Sequence, residues 1–250
     1  MTRIALITGA SSGIGKATAQ AFAKSGIDLI LCGRRQDRLQ ELSNELAPLV
    51  KTTSLAFDVR DRKAVEDAIA SLPKEWQAID ILVNNAGNAH GFDPIDKGNP
   101  DDWDAMIGSN VTGLLYVSKA VIPGMVERSK GHIVNLSSIA GKETYANGTV
   151  YCASKAAVEA FSQGMRLDLI QHGIKVTNIA PGAVETEFSM VRFKGDEARA
   201  DKVYAGFDPL TAEDIADSIL YAVNAPAHVT IADVTILAAA QAAATTVYRK

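Results

Sequence analysis

Cysteine is scarce: two residues in a chain of 250. Cys32 falls inside an apolar run and Cys152 directly follows a tyrosine, so neither belongs to a disulfide framework or a thiolate zinc motif. The four histidines, His90, His132, His172 and His228, share no ligand spacing, and no metal is expected. An excess of one charge is missing too. A net charge of -4 makes no field that would gather nucleic acid or an anionic membrane, and no basic patch is interleaved with aromatics. We expect neither partner. No apolar run approaches membrane-spanning length, and Arg3-Ile4-Ala5-Leu6-Ile7 lies too near the first residue to leave space for a secretory leader. A reducing cytoplasm is therefore the expected compartment. The triplets beginning at Asn110, Asn135 and Asn147 fit a glycosylation pattern, which we discount without a secretory context. Linkers, repeats and low-complexity stretches are absent as well, which predicts a single domain over residues 1–250.

What the chain does have is alternation. Short apolar runs at 3–8, 27–32, 52–58, 79–84, 131–137, 173–180 and 231–237 read as strands, with helical patterns between them. Runs such as Ile27-Asp28-Leu29-Ile30-Leu31-Cys32 are apolar on both faces, as a parallel sheet covered on each side requires. The fold class is α/β: a Rossmann-like, doubly wound parallel sheet of about seven strands with helices on both faces. The least regular stretch, 185–207, is the place for a mobile lid; an ordinary surface excursion fits the same residues.

The first strand runs into Thr8-Gly9-Ala10-Ser11-Ser12-Gly13-Ile14-Gly15. Gly9, Gly13 and Gly15 permit a tight turn and close backbone approach to a pyrophosphate, with Ser11, Ser12 and Ile14 beside it, at the positive end of a helix from Ile14 to Lys24. Glycines in any tight strand-to-helix turn give the same letters, but here they sit between a strand and an amphipathic helix, which favours a dinucleotide. The second strand ends Cys32-Gly33-Arg34-Arg35, where NAD sites usually place a carboxylate for the ribose. Two guanidiniums there suit a 2′-phosphate, and they oppose the dipole of the helix they precede unless an anion justifies them. NADP is the expected cofactor. Asp37 is a second candidate ribose ligand and keeps dual specificity open.

Tyr151 and Lys155 stand four apart in a segment, Thr149 to Leu169, that reads as a helix, so both project from one face. A phenol titrating near 10 needs a shift of about 3 units, or about 4 kcal/mol, to exchange protons near neutrality. The adjacent ammonium and the positive ring of an oxidised nicotinamide are the groups expected to supply it. A half-buried aromatic beside a snorkelling lysine would give the same pair.

With Asp58-Val59, Asn84-Asn85-Ala86-Gly87, Ser138 and Pro181-Gly182 with Thr186 in order around these two motifs, the chain resembles the short-chain dehydrogenase/reductase family over essentially its whole length. The resemblance selects Ser138, 13 residues before Tyr151, with Ser137 as its structural neighbour, and it selects Asn110 within Ser109-Asn110-Val111-Thr112-Gly113. It implies that Ser138 and Tyr151 hydrogen-bond the reacting oxygen and that Tyr151 exchanges its proton. Lys155 would lower the phenol's pKa and hold the nicotinamide ribose, and Asn110 would position water. It further implies that Asp58 meets the adenine amine, Val59 its ring, Asn85 the adenosine-side ribose and Thr186 the carboxamide or diphosphate. Asp37-Arg38-Leu39-Gln40-Glu41-Leu42, Pro123 to Arg128 and Thr186 to Asp196 are similar to the NADP-dependent 3-hydroxy acid dehydrogenases that oxidise serine and allo-threonine. The compact turn Pro181 to Thr186 and the alanine-rich tail Ala238 to Ala244 depart from that group.

A hydroxy acid needs a cation in its pocket, and Arg192 on the lid segment is the candidate, with pairing to a surface carboxylate such as Asp196 as its plain alternative. His90 and Tyr145 are candidates for the pocket wall; loop packing accounts for both. Three functions stay open: the 3-hydroxy acid dehydrogenase, a carbonyl reductase of the same family acting on a 3-oxoacyl thioester or diketone, and a dinucleotide-binding sensor or structural subunit without catalysis. The resemblance also implies a homotetramer or homodimer built on helices around 101–128 and 149–171.

Overall fold

The central apolar runs pair because they offer two greasy faces and an unsatisfied backbone, and helices cover both sides. A computed structural model describes residues 2–250. The chain runs through β1 (Ile4–Thr8), α1 (Gly13–Lys24), β2 (Asp28–Gly33), α2 (Gln36–Leu46), β3 (Thr52–Ala56) and α3 (Arg62–Ala70). Next come β4 (Ile81–Asn84), α4 (Pro100–Ile107), a π-helical turn (Gly108–Gly113), α5 (Leu114–Glu127), β5 (Gly131–Leu136) and α6 (Thr149–Leu169). It ends with β6 (Ile174–Pro181), α7 (Phe188–Arg192), α8 (Glu197–Tyr204), α9 (Ala212–Val223) and β7 (Asp233–Ile236). All seven expected strands form, and every pairing in the sheet β3-β2-β1-β4-β5-β6-β7 is parallel.

The two-residue period of a strand divides the core. Ala5, Ile7, Leu29, Leu31 and Val83 face α1 and α9, where Phe22, Ile215 and Ile219 are buried. Ile4, Leu6, Ile30, Cys32 and Leu82 face the other way, onto Val65 of α3 and Val117, Val121 and Met125 of α5. By length and composition the helical run from Pro100 to Glu127 is long and apolar enough to cross a membrane, with a mean hydropathy of 1.3 over an 18-residue stretch of it. That corrects the expectation that no run approaches such length. The π turn interrupts it, and its α5 half packs on α3 beneath the sheet, as a core helix does.

Chain order reverses between β1 and β4, the strands that leave the sheet centre in opposite directions. A crevice opens beyond the carboxyl ends of strands at such a point. Residues 185–207, which form α7, α8 and their connections, fold across that crevice and contribute to its wall.

Candidate active site

The crevice is a cleft of about 670 Å³. At one end lies the turn after β1, where Gly9 (φ +66°) and Gly13 (φ +51°) occupy the left-handed region that glycine tolerates best. Gly15 lies behind them: a side chain there would strike the Gly9 carbonyl. Thr8 Oγ1 accepts hydrogen bonds from the backbone N–H groups of Asn85 and Ala86, each at 3.0 Å, and Asn85 Nδ2 donates to the Thr8 carbonyl at 2.9 Å. Asn85 thus spends its amide bracing the turn, although it still lines the cleft.

Ser11, Ser12, Gly13, Ile14, Arg34 and Arg35 line the wall next to this turn. Arg35 Nη2 donates to Ser12 Oγ at 2.7 Å and to Ser11 Oγ at 3.1 Å, and its Nη1 donates to Glu187 Oε2 at 3.1 Å. Arg34 is exposed and has no side-chain partner among the described residues. The first turn of α1 carries no acidic residue. Glycines that permit close approach, a helix N-terminus and a free guanidinium suit a phosphorylated dinucleotide, so the residues present fit the expected cofactor. Asp58 and Val59 also line the cleft. The Arg60 guanidinium, 2.7 Å from Asp58 Oδ2, holds the Asp58 carboxyl below its usual range. Asp37 is exposed in the first turn of α2, outside the cleft wall.

At the other end α6 presents Tyr151 and Lys155 on its buried face. Lys155 Nζ donates to the Leu136 carbonyl at 2.8 Å and lies 6.0 Å from the centre of the Tyr151 ring. Burial pushes the Lys155 ammonium down to about 8. Tyr151 moves opposite to the expected direction: burial first and the neighbouring Tyr145 second push its phenol up, while the Ser138 hydroxyl and the charge of Arg192 act the other way. The backbone of Ser138 is extended; its Oγ accepts from Ala140 N at 3.1 Å and donates to the Pro181 carbonyl at 3.3 Å. Ser137 Oγ donates instead to the Lys155 carbonyl at 3.1 Å, so Ser137 ties strand to helix. Asn110 sits in the π turn behind the wall. Its Oδ1 accepts from Asn88 N at 2.8 Å, and its Nδ2 donates to Asn88 O and Ser154 Oγ, both at 2.9 Å.

Between the two ends, Pro181, Gly182 and Thr186 line the cleft, with Thr186 Oγ1 accepting from Phe188 N at 3.2 Å. Arg192 comes in from α7. Its guanidinium carbon lies 4.7 Å from the Phe92 ring centre, 5.6 Å from that of Tyr151 and 5.7 Å from that of Tyr145, whose hydroxyl accepts from Nη2 at 3.2 Å. Its Nε is buried without a partner. Asp196, the alternative counter-charge, instead caps α8 by accepting from Arg199 N. His90 borders a small separate cavity with Asp102, Trp103 and Met106, and burial pushes its pKa down. Apart from Gly15 and Asn110, which stand behind the wall, and Asp37, which lies outside it, the residues singled out above for catalysis or cofactor binding meet on this one cleft.

The model of the short chain dehydrogenase family matches residues 3–197. The chain belongs to that family. It is 48% identical to the NADP-dependent 3-hydroxy acid dehydrogenase YdfG of Salmonella typhi over 239 residues, 95% of this chain and 96% of the other. It is 45% identical to sulfoacetaldehyde reductase 2 of Chromohalobacter salexigens over 243 residues, covering 97% and 96% of the two chains. The closed form of a serine dehydrogenase complexed with NADP+ superposes with a TM-score of 0.93 at 46% identity, over 99% of this chain and 100% of that one.

Sequence reasoning missed the aromatic setting of Arg192, to which Phe92 and Phe193 contribute, the packing of Phe188 on Tyr151, and the bridge from Glu187 to Arg38. It also missed Gln241, whose Oε1 accepts from Ala183 N at 2.9 Å and brings the alanine-rich tail to the cleft. No spacing announces these contacts. The departures at 181–186 and 238–244 were the available signal.

Proposed function

We propose that this short-chain dehydrogenase transfers a hydride, with NADP, between nicotinamide and the hydroxyl-bearing carbon of a small 3-hydroxy acid of the serine, allo-threonine or 3-hydroxypropionate type. The observation that carries the acid is Arg192, a guanidinium with one buried unpartnered N–H, held among aromatic rings 5.6 Å from the Tyr151 ring. In so apolar a setting an unmatched cation asks for an anion. The names of the similar dehydrogenases support the same substrate class and cofactor.

Bound in the cleft, the dinucleotide supplies the site that accepts or donates hydride. Arg34, with Arg35 behind it, selects the 2′-phosphate, and the Gly9–Ile14 turn holds the pyrophosphate. Asp58 and Val59 hold the adenine, with Asn85 and Thr186 completing the wall. Tyr151 takes the alcohol proton in oxidation and returns it in reduction, and Ser138 orients the reacting oxygen beside it. Lys155 adds positive charge behind the phenol, and Asn110 fixes the loop and helix that carry this group.

A second reading, reduction of a small aldehyde bearing an anion, uses the same Arg192 and finds support in the likeness to a sulfoacetaldehyde reductase. We also propose a cytoplasmic homodimer or homotetramer. Ile107, Leu115, Leu167 and Ile170 are exposed apolar side chains on the helices that would join its copies.

Initial rates of NADP+ reduction with L-serine, allo-threonine, 3-hydroxypropionate, 3-hydroxybutyrate and a neutral secondary alcohol, repeated with NAD+, test the proposal. The acids with NADP+ should lead. Arg192→Ala should lower kcat/KM for the acids by about 30- to 100-fold, the worth of a charged hydrogen bond, and leave the neutral alcohol nearly unchanged. Equal losses on both substrate types would sink the assignment.

A further inference from the structure

The helix that delivers Arg192 is tied at both ends by ion pairs of opposite sense. Ahead of α7, Glu187 Oε1 accepts from Arg38 Nη1 at 2.8 Å while Oε2 accepts from Arg35 Nη1 at 3.1 Å. Beyond it, Lys194 Nζ lies 2.9 Å from Asp102 Oδ2, and Gly91 N donates to the Arg192 carbonyl at 3.0 Å. A helix of five residues is far too short to hold its own shape in water, so these ties decide where Arg192 sits.

Arg35 and Arg38 play different parts in the tie. Arg35 lines the cleft and also grips the serines of the glycine turn. Arg38 lies on α2 and is not part of the cleft wall, and its hydrogen-bonded partner is Glu187. Arg34, unpaired at the wall, remains free for a phosphate, so Glu187 need not be displaced when a cofactor enters.

We propose that Arg38, acting through Glu187, is a positioning residue: the bridge from α2 to α7 holds the 185–207 segment across the cleft and sets Arg192 beside Tyr151. The cofactor-selecting end of the cleft is thereby joined mechanically to the end that chooses the substrate. The inference rests on the substrate and cofactor reading above only for its effect on KM.

The test uses Arg38→Gln, Glu187→Gln and their double variant, each saturated with NADP+ and digested briefly with trypsin, with cleavage at Arg192, Lys194, Arg199 and Lys202 followed by mass spectrometry. Both single variants should be cut about threefold faster than wild type, the scale of a partly exposed ion pair, and the double variant no faster than either. Arg38→Lys should retain most of the protection, which a general loosening of the fold would not. KM for the hydroxy acid should rise about threefold in the single variants, with kcat and the KM of a neutral alcohol unchanged.

Wild-type cleavage rates in the single variants, or a double variant whose effect is the product of the two, would overturn the bridge. So would an increase in NADP+ affinity confined to Glu187→Gln, measured by titration calorimetry, since it would make Glu187 a competitor of the 2′-phosphate. Cleavage is read without substrate. An enzyme that turns over no acid yet shows the cleavage pattern keeps the bridge and loses the substrate assignment.

Discussion

Lys155 sits in conflict with its surroundings, and that conflict is measurable. Its ammonium is buried with one hydrogen bond, to the Leu136 carbonyl, and its pKa falls from 10.5 to about 8. Below pH 8 the folded chain must hold a charge that it disfavours, so the cost is fully present there. Between pH 8 and 10.5 the unfolded chain binds the extra proton, and stability attributable to this residue rises with pH. Lys155→Met should therefore abolish turnover while gaining most of about 3 kcal/mol relative to a charged lysine near pH 7, less the cost of the orphaned carbonyl. That difference should shrink as pH is raised from 8 to 10.5, read as the gap between urea unfolding curves of the variant and wild type. A gap that stays constant or widens would mean that the ammonium is not strained. The same burial keeps the Tyr151 phenol protonated, so the protein alone does not make a phenolate. Positive charge that arrives with an oxidised cofactor then has a definite task, which the spacing of Tyr151 and Lys155 suggested but could not apportion.

Among the elements, the legible ones are those whose local pattern and tertiary task agree. Runs apolar on both faces fit central parallel strands, and Thr149 to Leu169 is a helix by its own periodicity. The π turn at Gly108–Gly113 was not legible, because the helical pattern continues on both sides of it. Its extra residue is held by contacts of Asn110 with Asn88 and Ser154, far away in sequence. The setting of Arg192 was hidden for the same reason, since Phe92 and Tyr145 come from loops that no period relates to α7. Glycines within helices divide along this line. Gly15 packs under the Gly9 carbonyl, with Asn85 Nδ2 only 2.5 Å from where a side chain would begin, whereas Gly164 in α6 has open space beside it. Gly15→Ala should cost at least about 2 kcal/mol through overpacking, and Gly164→Ala should gain up to about 1 kcal/mol from helix propensity. Denaturant midpoints of the two variants check this pair, and equal midpoints would remove the glycine at 15 from the argument for a tightly built turn.

At the scale of the whole molecule, one parallel sheet and one cleft make cofactor binding and folding a single equilibrium. The glycine turn, the arginines after β2, helices α7 and α8 and the tail at Gln241 all border the same space, so a ligand there ties together segments from both ends of the chain. A ligand that binds only the folded state stabilises it by about 2.7 kcal/mol when present at a hundredfold excess over Kd. For a chain of this size that corresponds to a rise in Tm of about 5 to 10 °C. NADP+ should produce such a shift in a thermal melt. NAD+ at the same concentration should produce clearly less, because it leaves the free Arg34 guanidinium without its anion and pays nothing back for crowding cations at the start of α2. Arg34→Ala should bring the two shifts together, chiefly by lowering that of NADP+. If the variant keeps the full difference, selection of the phosphate would pass to Arg35, and Arg35 would then have to release Glu187 or Ser12 to perform it.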